Sequence, residues 1–339
     1  MELFSDVATS MQDVLTTEAD AIATETDFVK RQRKFTGATF AQTLVFGWLS
    51  NPDATLDELT QIAAALGLKI SPQGLDQRFT QSSAAFLREV LEASVSKVIS
   101  GEPSALEVLR RFSGVYLIDS STVTLPDDFA AVWECCGGSS PQNTSSSLKL
   151  HVRWDLLSGG IGLELTAGRQ SDKRSSFQDE TLPQGCLRLT DLGFFSLKVL
   201  EEIGQSGNYW LTRVKSQCSL YVRSKEDDSD DQGFNNKGSD NKCYDLTDFL
   251  REQKSDRSHI HILLSAQAKL PCRLIALRVP QQVANERRRK MKANAKKKGK
   301  TVSKRRLELA NWLILATNAS ENMISFDEAF VLARLRWHI

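Results

Sequence analysis

The sequence predicts a mixed α/β chain, with an all-helical N-terminal segment leading into a mixed sheet. Two contrasts within its 339 residues point there. Up to about residue 105 the apolar residues recur at helical spacing. From about Arg110 they gather instead in short runs rich in Val, Ile, Leu and Tyr, bounded by Gly, Ser and Pro, which is how strands read. A third observation concerns chemistry. Two of these runs end in a carboxylate, Asp119 and Asp191, and a charge at the end of a buried strand is costly unless something compensates it.

The N-terminal elements follow from periodicity and caps. In TLDELTQIAAALGL the residues Leu56, Leu59, Ile62, Ala63 and Leu66 share one helical face, Thr55 is placed to cap the start, and Gly67 breaks the helix. KISPQGLDQRF then offers Ser71 as an N-cap and Pro72 as the first helical residue. Helix, short turn and second helix have the spacing of a helix-turn-helix, with Gln73, Gln77 and Arg78 available to face a DNA groove. The same arrangement occurs in many proteins that touch no DNA.

After Arg110 the elements come in a telling order. GVYLID, LKLHVRWDLL and GIGLELTAG are three strands, the last two joined by a Ser-Gly-Gly turn suited to a hairpin. A helix-compatible stretch spans about Asp172 to Glu180. LRLTDLGFF is a fourth strand ending in Asp191, Gly193 turns the chain into the helix SLKVLEEIG, and NYWLTRVK is a fifth strand. Three meandering strands, a helix, an acid-tipped strand, a helix and a fifth strand make an RNase H-like order. In that order the first and fourth strands are neighbours, so Asp119 and Asp191 project together. Two carboxylates so placed repel unless a divalent cation lies between them. Magnesium suits hard oxygen ligands of this kind.

Bulk properties narrow the class. With 41% hydrophobic and 25% charged residues this is an ordinary globular composition. No apolar run reaches the roughly 18 residues of a membrane span, and the start carries acids where a secretory signal carries bases. The expected location is cytoplasmic. Six cysteines are scattered without a Cys-x-x-Cys pair, which suggests reduced thiols rather than a zinc site or a disulfide framework. His259 and His261 alternate within a strand-like HIHILL and are expected to be structural or solvent-facing. Net charge is only +1, yet Glu286 to Arg306 is almost entirely basic. That run reads either as a solvated helical face or flexible arm, or as a patch that tracks phosphates.

Taken together, YLIDSSTVTLP, WECCGG, LKLHVRWDLLSGGI, TDLGFF, YWLTRVK and CRLIALRVPQQVANERRRK followed by LELANWLILATN resemble, block by block, the DDE transposases of the insertion sequence 4 family. The resemblance covers most of residues 30 to 339. It implies a helical DNA-binding domain over 1–105 and an RNase H-like catalytic domain over 106–339, interrupted by a β-rich insertion over 216–306 that holds the transposon end. Within the insertion, Ser224 to Lys242 is polar and acidic and reads as a solvent loop.

What the resemblance implies for chemistry is Mg²⁺-dependent phosphoryl transfer, with Mn²⁺ able to substitute, on double-stranded DNA. Water cleaves at the element's end, the freed 3′-hydroxyl forms a hairpin with the opposite strand, and after opening it attacks target DNA. Asp119 and Asp191 are the implied metal ligands. Arg336 in the last helix is the implied phosphate or flanking-strand contact, while Arg213 and Lys215 near the sheet edge and Arg287, Arg288 and Arg289 in the basic run are candidate DNA contacts whose alternative is plain surface charge. A homodimer at synapsis, no membrane, and a bacterial, nucleoid-associated location when bound to DNA complete the expectation.

The last helix departs from the family pattern. Ser325 and Glu328 have the spacing of a capping box, and the family's Tyr, two residues, Arg, three residues, Glu falls with Ala333 at the Tyr and Arg336 at the Arg. The Glu would be the residue after Ile339. A chain cut just before its third acid, or an inactive DNA-binding derivative, is the expectation that follows.

Overall fold

The computed structural model describes residues 9–30, 35–100, 107–135, 146–216, 218–222, 242–297 and 299–335. The chain divides into two compact units, one of residues 1–106 with the hairpin residues 156–161, the other of 107–155 and 162–339. None of the helices described is long and apolar enough to cross a membrane.

Up to Ser100 the regular elements described in the first unit are all helical, with a π-helical turn at Val14–Glu18 and helices at Ala19–Glu25, Gly37–Ser50, Leu56–Ala65, Pro72–Asp76 and Gln81–Ser100. Caps define its starts. Thr55 and Glu58 form a reciprocal capping box, as do Thr36 and Thr39. Ser71 Oγ accepts the Gly74 amide at 3.1 Å, and Pro72 occupies the first turn. The helix it starts has only five residues, so the second helix of the helix-turn-helix spacing is little more than one turn. Phe28, Phe40 and Phe86 cluster at the centre, with Phe28 stacked on Phe86 at 4.9 Å between ring centroids and Phe40 tilted against both. Burying such rings is worth several kcal/mol in all, at about 1.5–3 kcal/mol per large side chain.

The second unit is built on one sheet, ten-stranded among the described residues: β1 (Val115–Leu125), β2 (Ser146–Asp155), β3 (Ile161–Ala167), β4 (Leu187–Thr190), β5 (Tyr209–Arg213), β6 (Ser219–Val222), β7 (Lys242–Asp245), β8 (Arg257–Leu264), β9 (Leu270–Arg278) and β10 (Trp312–Thr317). The strand order is β3-β2-β1-β4-β5-β10-β9-β8-β6-β7. β1, β4 and β5 run parallel, and β2 and β10 run antiparallel to their neighbours. The strands between β5 and β10 in sequence extend this same sheet beyond β10, so the whole run shares one hydrogen-bonded layer.

Burial explains the central strands. All four residues of β4 are buried, and so are the middle residues of β5 and most of β10, as expected of strands covered on both faces. The helix Leu197–Gln205 links β4 to β5 and buries Leu200 and Ile203. Trp210, 1% exposed, fills the core beside Leu250, Leu274 and Ala316. The stretch 172–180 is not one helix but two single 3-10 turns, Asp172–Arg174 and Ser176–Gln178. Ser171 and Ser175 explain the break: each hydroxyl accepts the amide two residues on, and Ser175 keeps an extended backbone between the turns.

The basic run is also interrupted. A helix spans Gln281–Lys297, Gly299 takes a left-handed φ of 60°, and Ser303 caps a separate short helix, Lys304–Glu308. Residues 224–241, expected as a solvent loop, lie outside the described residues, whereas Lys242 opens β7.

Candidate active site

The site begins with strand register. β1 and β4 pair in parallel with Ile118 opposite Thr190. Asp119 and Asp191 are each the next residue, and Asp191 keeps an extended backbone at φ −86°, ψ 172°. Equal steps along parallel neighbours fall on the same side of a sheet, and such strands lie about 4.8 Å apart. The two acids therefore stand side by side at the end of β4. Both are partly exposed. Asp119 accepts the Ser120 amide at 2.8 Å.

Behind the pair, on the Ser120 face of β1, another carboxylate comes in from the turn after β3. Asp172 Oδ1 accepts a hydrogen bond from Ser120 Oγ at 3.0 Å and an ion-pair bond from Lys149 Nζ at 3.1 Å. Lys149, on β2, also donates to the Gln170 carbonyl at 2.5 Å. On its other side Asp172 lies against Gly193, two residues past Asp191: a Cβ there would sit 2.2 Å from Oδ2. Sequence reasoning did not find Asp172 or Lys149, because they lie in a polar stretch and on a strand with no signal linking them to residues 119 and 191.

Several cations lie at the same end of the sheet as the acids. The C-terminal ends of β1, β4 and β5 point the same way because the strands are parallel, so Arg213 and Lys215 lie at the acid-bearing end of the sheet. Lys215 Nζ is 5.3 Å from the Phe195 ring centre and 3.4 Å from the Phe195 carbonyl oxygen. Burial, with Lys173 close by, holds its ammonium below the usual lysine range. β10 runs antiparallel to β5, which brings its first residue, Trp312, to this end too. Arg287 donates to the Trp312 carbonyl at 3.2 Å, and burial and the nearby Arg213 lower its pKa.

The three arginines of the basic run are not equivalent. Arg288 donates to the Leu307 carbonyl at 3.1 Å and to Asn285 and Asn311 at 2.8 and 2.6 Å, so it braces the junction between helices. Arg289 is exposed. Arg78, in the helical unit, is exposed too and lies 4.5 Å from the Phe35 ring centre. Arg336 lies outside the described residues.

The donor set fits a hard divalent cation in its chemistry: two neighbouring carboxylates, partly exposed, at the end of a buried strand. Among the described residues no three of His, Cys, Asp and Glu gather as a ready metal cage, so the pair is an incomplete ligand set by itself. His259 and His261 lie on β8, away from the acids in strand order, with His259 Nε2 accepting from Arg273 Nε at 2.8 Å. The five cysteines described are free thiols.

Comparison with known proteins identifies the family. The profile of the family described as "Transposase DDE domain" matches residues 110–339. The chain is 27% identical over 319 residues to the transposase for insertion sequence element IS231B of Bacillus thuringiensis subsp. berliner, and 27% identical over 321 residues to that for IS231E of Bacillus thuringiensis subsp. finitimus. It is 27% identical over 333 residues to the transposase for IS1151 of Clostridium perfringens. Each alignment takes in 92% of this chain and 66% of the relative, so the chain spans just under two thirds of the length of these relatives.

Proposed function

Because the chain belongs to the transposase DDE domain family, we propose that it acts in the transposition of a bacterial insertion sequence of the insertion sequence 4 family, with Asp119 and Asp191 as two acids of a DDE site. The observation that supports this reading is the parallel register of β1 and β4, in which Asp119 and Asp191 each follow the paired residues Ile118 and Thr190. Double-stranded DNA is the substrate, namely the element's terminal repeats and then a target.

In this reading Asp119 and Asp191 hold Mg²⁺, or Mn²⁺ in its place. When bound, the metal supplies Lewis-acid activation of water or a 3′-hydroxyl and neutralises charge on the phosphate. The protein's own groups do the rest. Lys215, Arg213 and Arg287 bring positive charge to the same end of the sheet and take the phosphates of the strand being cut. Arg289, on the exposed side of its helix, adds a backbone contact, Arg78 contributes from the helical unit, and Arg336 steadies the flanking strand. Two chains join the two ends in synapsis. The setting is the bacterial cytoplasm, at the nucleoid when DNA is bound.

The test is strand cleavage on inverted-repeat DNA with Mg²⁺ or Mn²⁺, by this chain and by one continued with a Glu added after Ile339, where the family pattern calls for it. Cleavage by the continued chain, abolished in Asp119→Asn and Asp191→Asn while DNA binding survives, is expected. Retained cleavage in either variant refutes the assignment. Binding without cleavage by the continued chain would favour the alternative, a DNA-binding protein derived from a transposase.

A further inference from the structure

We propose that Asp172 is a positioning residue that sets the separation of Asp119 and Asp191, acting as a bracket between the middle of β1 and the end of β4 rather than as a ligand itself. The proposal rests on the reading of those two acids as a cation site. It goes beyond that reading in naming what holds the site's geometry.

The geometry is specific. One carboxylate reaches three separate parts of the chain: the residue after Asp119 through Ser120 Oγ at 3.0 Å, β2 through Lys149 Nζ at 3.1 Å, and the turn after Asp191 through close packing on Gly193. Ser120 and Gly193 are one and two residues from the two acids. A displacement of Asp172 therefore bears on β1 beside Asp119 and on the turn after Asp191 at once.

Gly193 has a reason to be glycine here. Its φ carries no left-handed requirement, since it is not among the positive-φ glycines. What it needs is space: an added Cβ would meet Asp172 Oδ2 at 2.2 Å and Cγ at 3.1 Å, distances that force something to move. The turn after β4 is thus built to receive this carboxylate.

Charge points the same way. Successive side chains of a strand point to opposite faces, so Asp172, bonded to Ser120, braces β1 from the face opposite Asp119 and its charge there needs a partner of its own. Lys149 offsets it with a largely buried ion pair, the two side chains being 13% and 22% exposed. The pairing occupies Asp172 Oδ1 with two donors and commits it to the protein. Groups that orient metal ligands in this way typically govern affinity by about 10–100-fold.

The experiment uses Mn²⁺ alone as the probe, with binding to the purified chain followed by calorimetry or by the spin-resonance signal of the free ion. Variants are Asp172→Ala, Asp172→Asn, Gly193→Ala, Asp119→Asn and Asp191→Asn, each with a thermal melt to register folding. Asp172→Ala and Gly193→Ala are expected to weaken Mn²⁺ binding about tenfold or more. Asp172→Asn keeps an acceptor for Ser120 and should recover part of the loss, which a simple loss of fold would not do. Should Asp172→Ala fail to fold, Asp172→Asn and Gly193→Ala carry the test. Affinity within about twofold of the unaltered chain in the folded variants overturns the bracket. If Asp119→Asn and Asp191→Asn also bind as the unaltered chain does, or if that chain takes up no Mn²⁺, the cation-site reading itself falls and the bracket with it. Loss in those two alone, with the Asp172 and Gly193 variants unaffected, overturns only the bracket.

Discussion

Arg111 grips Glu328 through two hydrogen bonds, Nη1 to Oε2 at 2.9 Å and Nη2 to Oε1 at 2.8 Å. The pair joins the segment before β1 to the helix Phe326–Leu335, whose start Glu328 also caps by accepting the Ser325 amide at 2.9 Å. A guanidinium and a carboxylate meeting fork to fork form one of the stronger protein ion pairs.

That contact predicts an acid-labile share of stability. The Arg111 hydrogen bonds, helped by Ser325, hold the Glu328 carboxyl down from 4.5 to about 2. A folded-state value below the unfolded one stabilises the protein above the unfolded pKa, and the contribution is lost as pH falls from 4.5 towards about 2. Both side chains are about a third exposed, at 34% and 29%, so solvent screening leaves roughly 1 kcal/mol. Urea denaturation of the unaltered chain and Glu328→Gln should differ near neutrality and converge in acid. A gap that stays constant between about pH 6 and about pH 3 would rule this out.

The basic helix should separate into bracing and binding residues. Arg288→Ala removes bonds to Leu307, Asn285 and Asn311 and is expected to destabilise the fold by about 1–3 kcal/mol. Arg289→Ala should leave the melting temperature unchanged and weaken DNA binding, lowering the slope of log affinity against log salt by about 1. The measurement is DNA affinity over a salt series beside a thermal melt. Equal effects of the two variants on both readouts would contradict the division.

The contrast between those arginines shows how far residue patterns reach. In Arg287, Arg288 and Arg289 a sequence shows three neighbouring charges. Which of them turns inward depends on where the Trp312 and Leu307 carbonyls come to lie, and that is tertiary information. The neighbouring placement of Asp119 and Asp191 was legible because each closes an apolar run, and the order of runs around them implies which strands pair. Asp172 was not, since Ser, Asp, Lys and Arg in succession read as a helix-compatible or loop segment. Its partners, Ser120 and Lys149, sit on other strands where no periodicity marks them. The extension of the sheet through β10 to β7 was equally hidden, because long-range pairing leaves no local trace.

On the far side of the sheet, Arg273 and His259 predict a neutral-to-acid weakening. Arg273 is 4% exposed, donates to the Ala319 and Ile324 carbonyls at 2.8 and 2.9 Å, and gives its Nε–H to His259 Nε2. Burial, then the charge of Arg273, lowers the His259 pKa below 6.5. The unfolded chain therefore binds the proton more readily, so this contribution is full above 6.5 and lost as pH falls below it. His259→Gln, which offers Arg273 an uncharged acceptor, should flatten that part of the pH–stability curve. Arg273→Met should cost about 3 kcal/mol near neutrality by stranding two buried carbonyls. An unaltered curve in His259→Gln would disprove the histidine's part.

The helical unit offers a test by steric contact. Gly37 opens the helix Gly37–Ser50 where it crosses the helix Ala19–Glu25, and a Cβ at Gly37 would lie 2.3 Å from the Ala19 carbonyl oxygen and 2.4 Å from the Ala23 Cβ. The same crossing is fixed by Asp20 Oδ1, which accepts the Ala38 amide at 2.7 Å. Alanine favours helix over glycine by about 0.5–1 kcal/mol, whereas overpacking against a backbone oxygen costs about 1–3 kcal/mol. The steric effect should win, and Gly37→Ala should lower the melting temperature. Pairing it with Ala23→Gly removes only the side-chain clash, so the double variant should recover part of the loss and no more, because the Ala19 carbonyl stays in the way. Full recovery would mean that the backbone contact is not the limiting one, and a stabilised single variant would mean that the two helices do not approach as closely as 2.3 Å from that carbonyl requires.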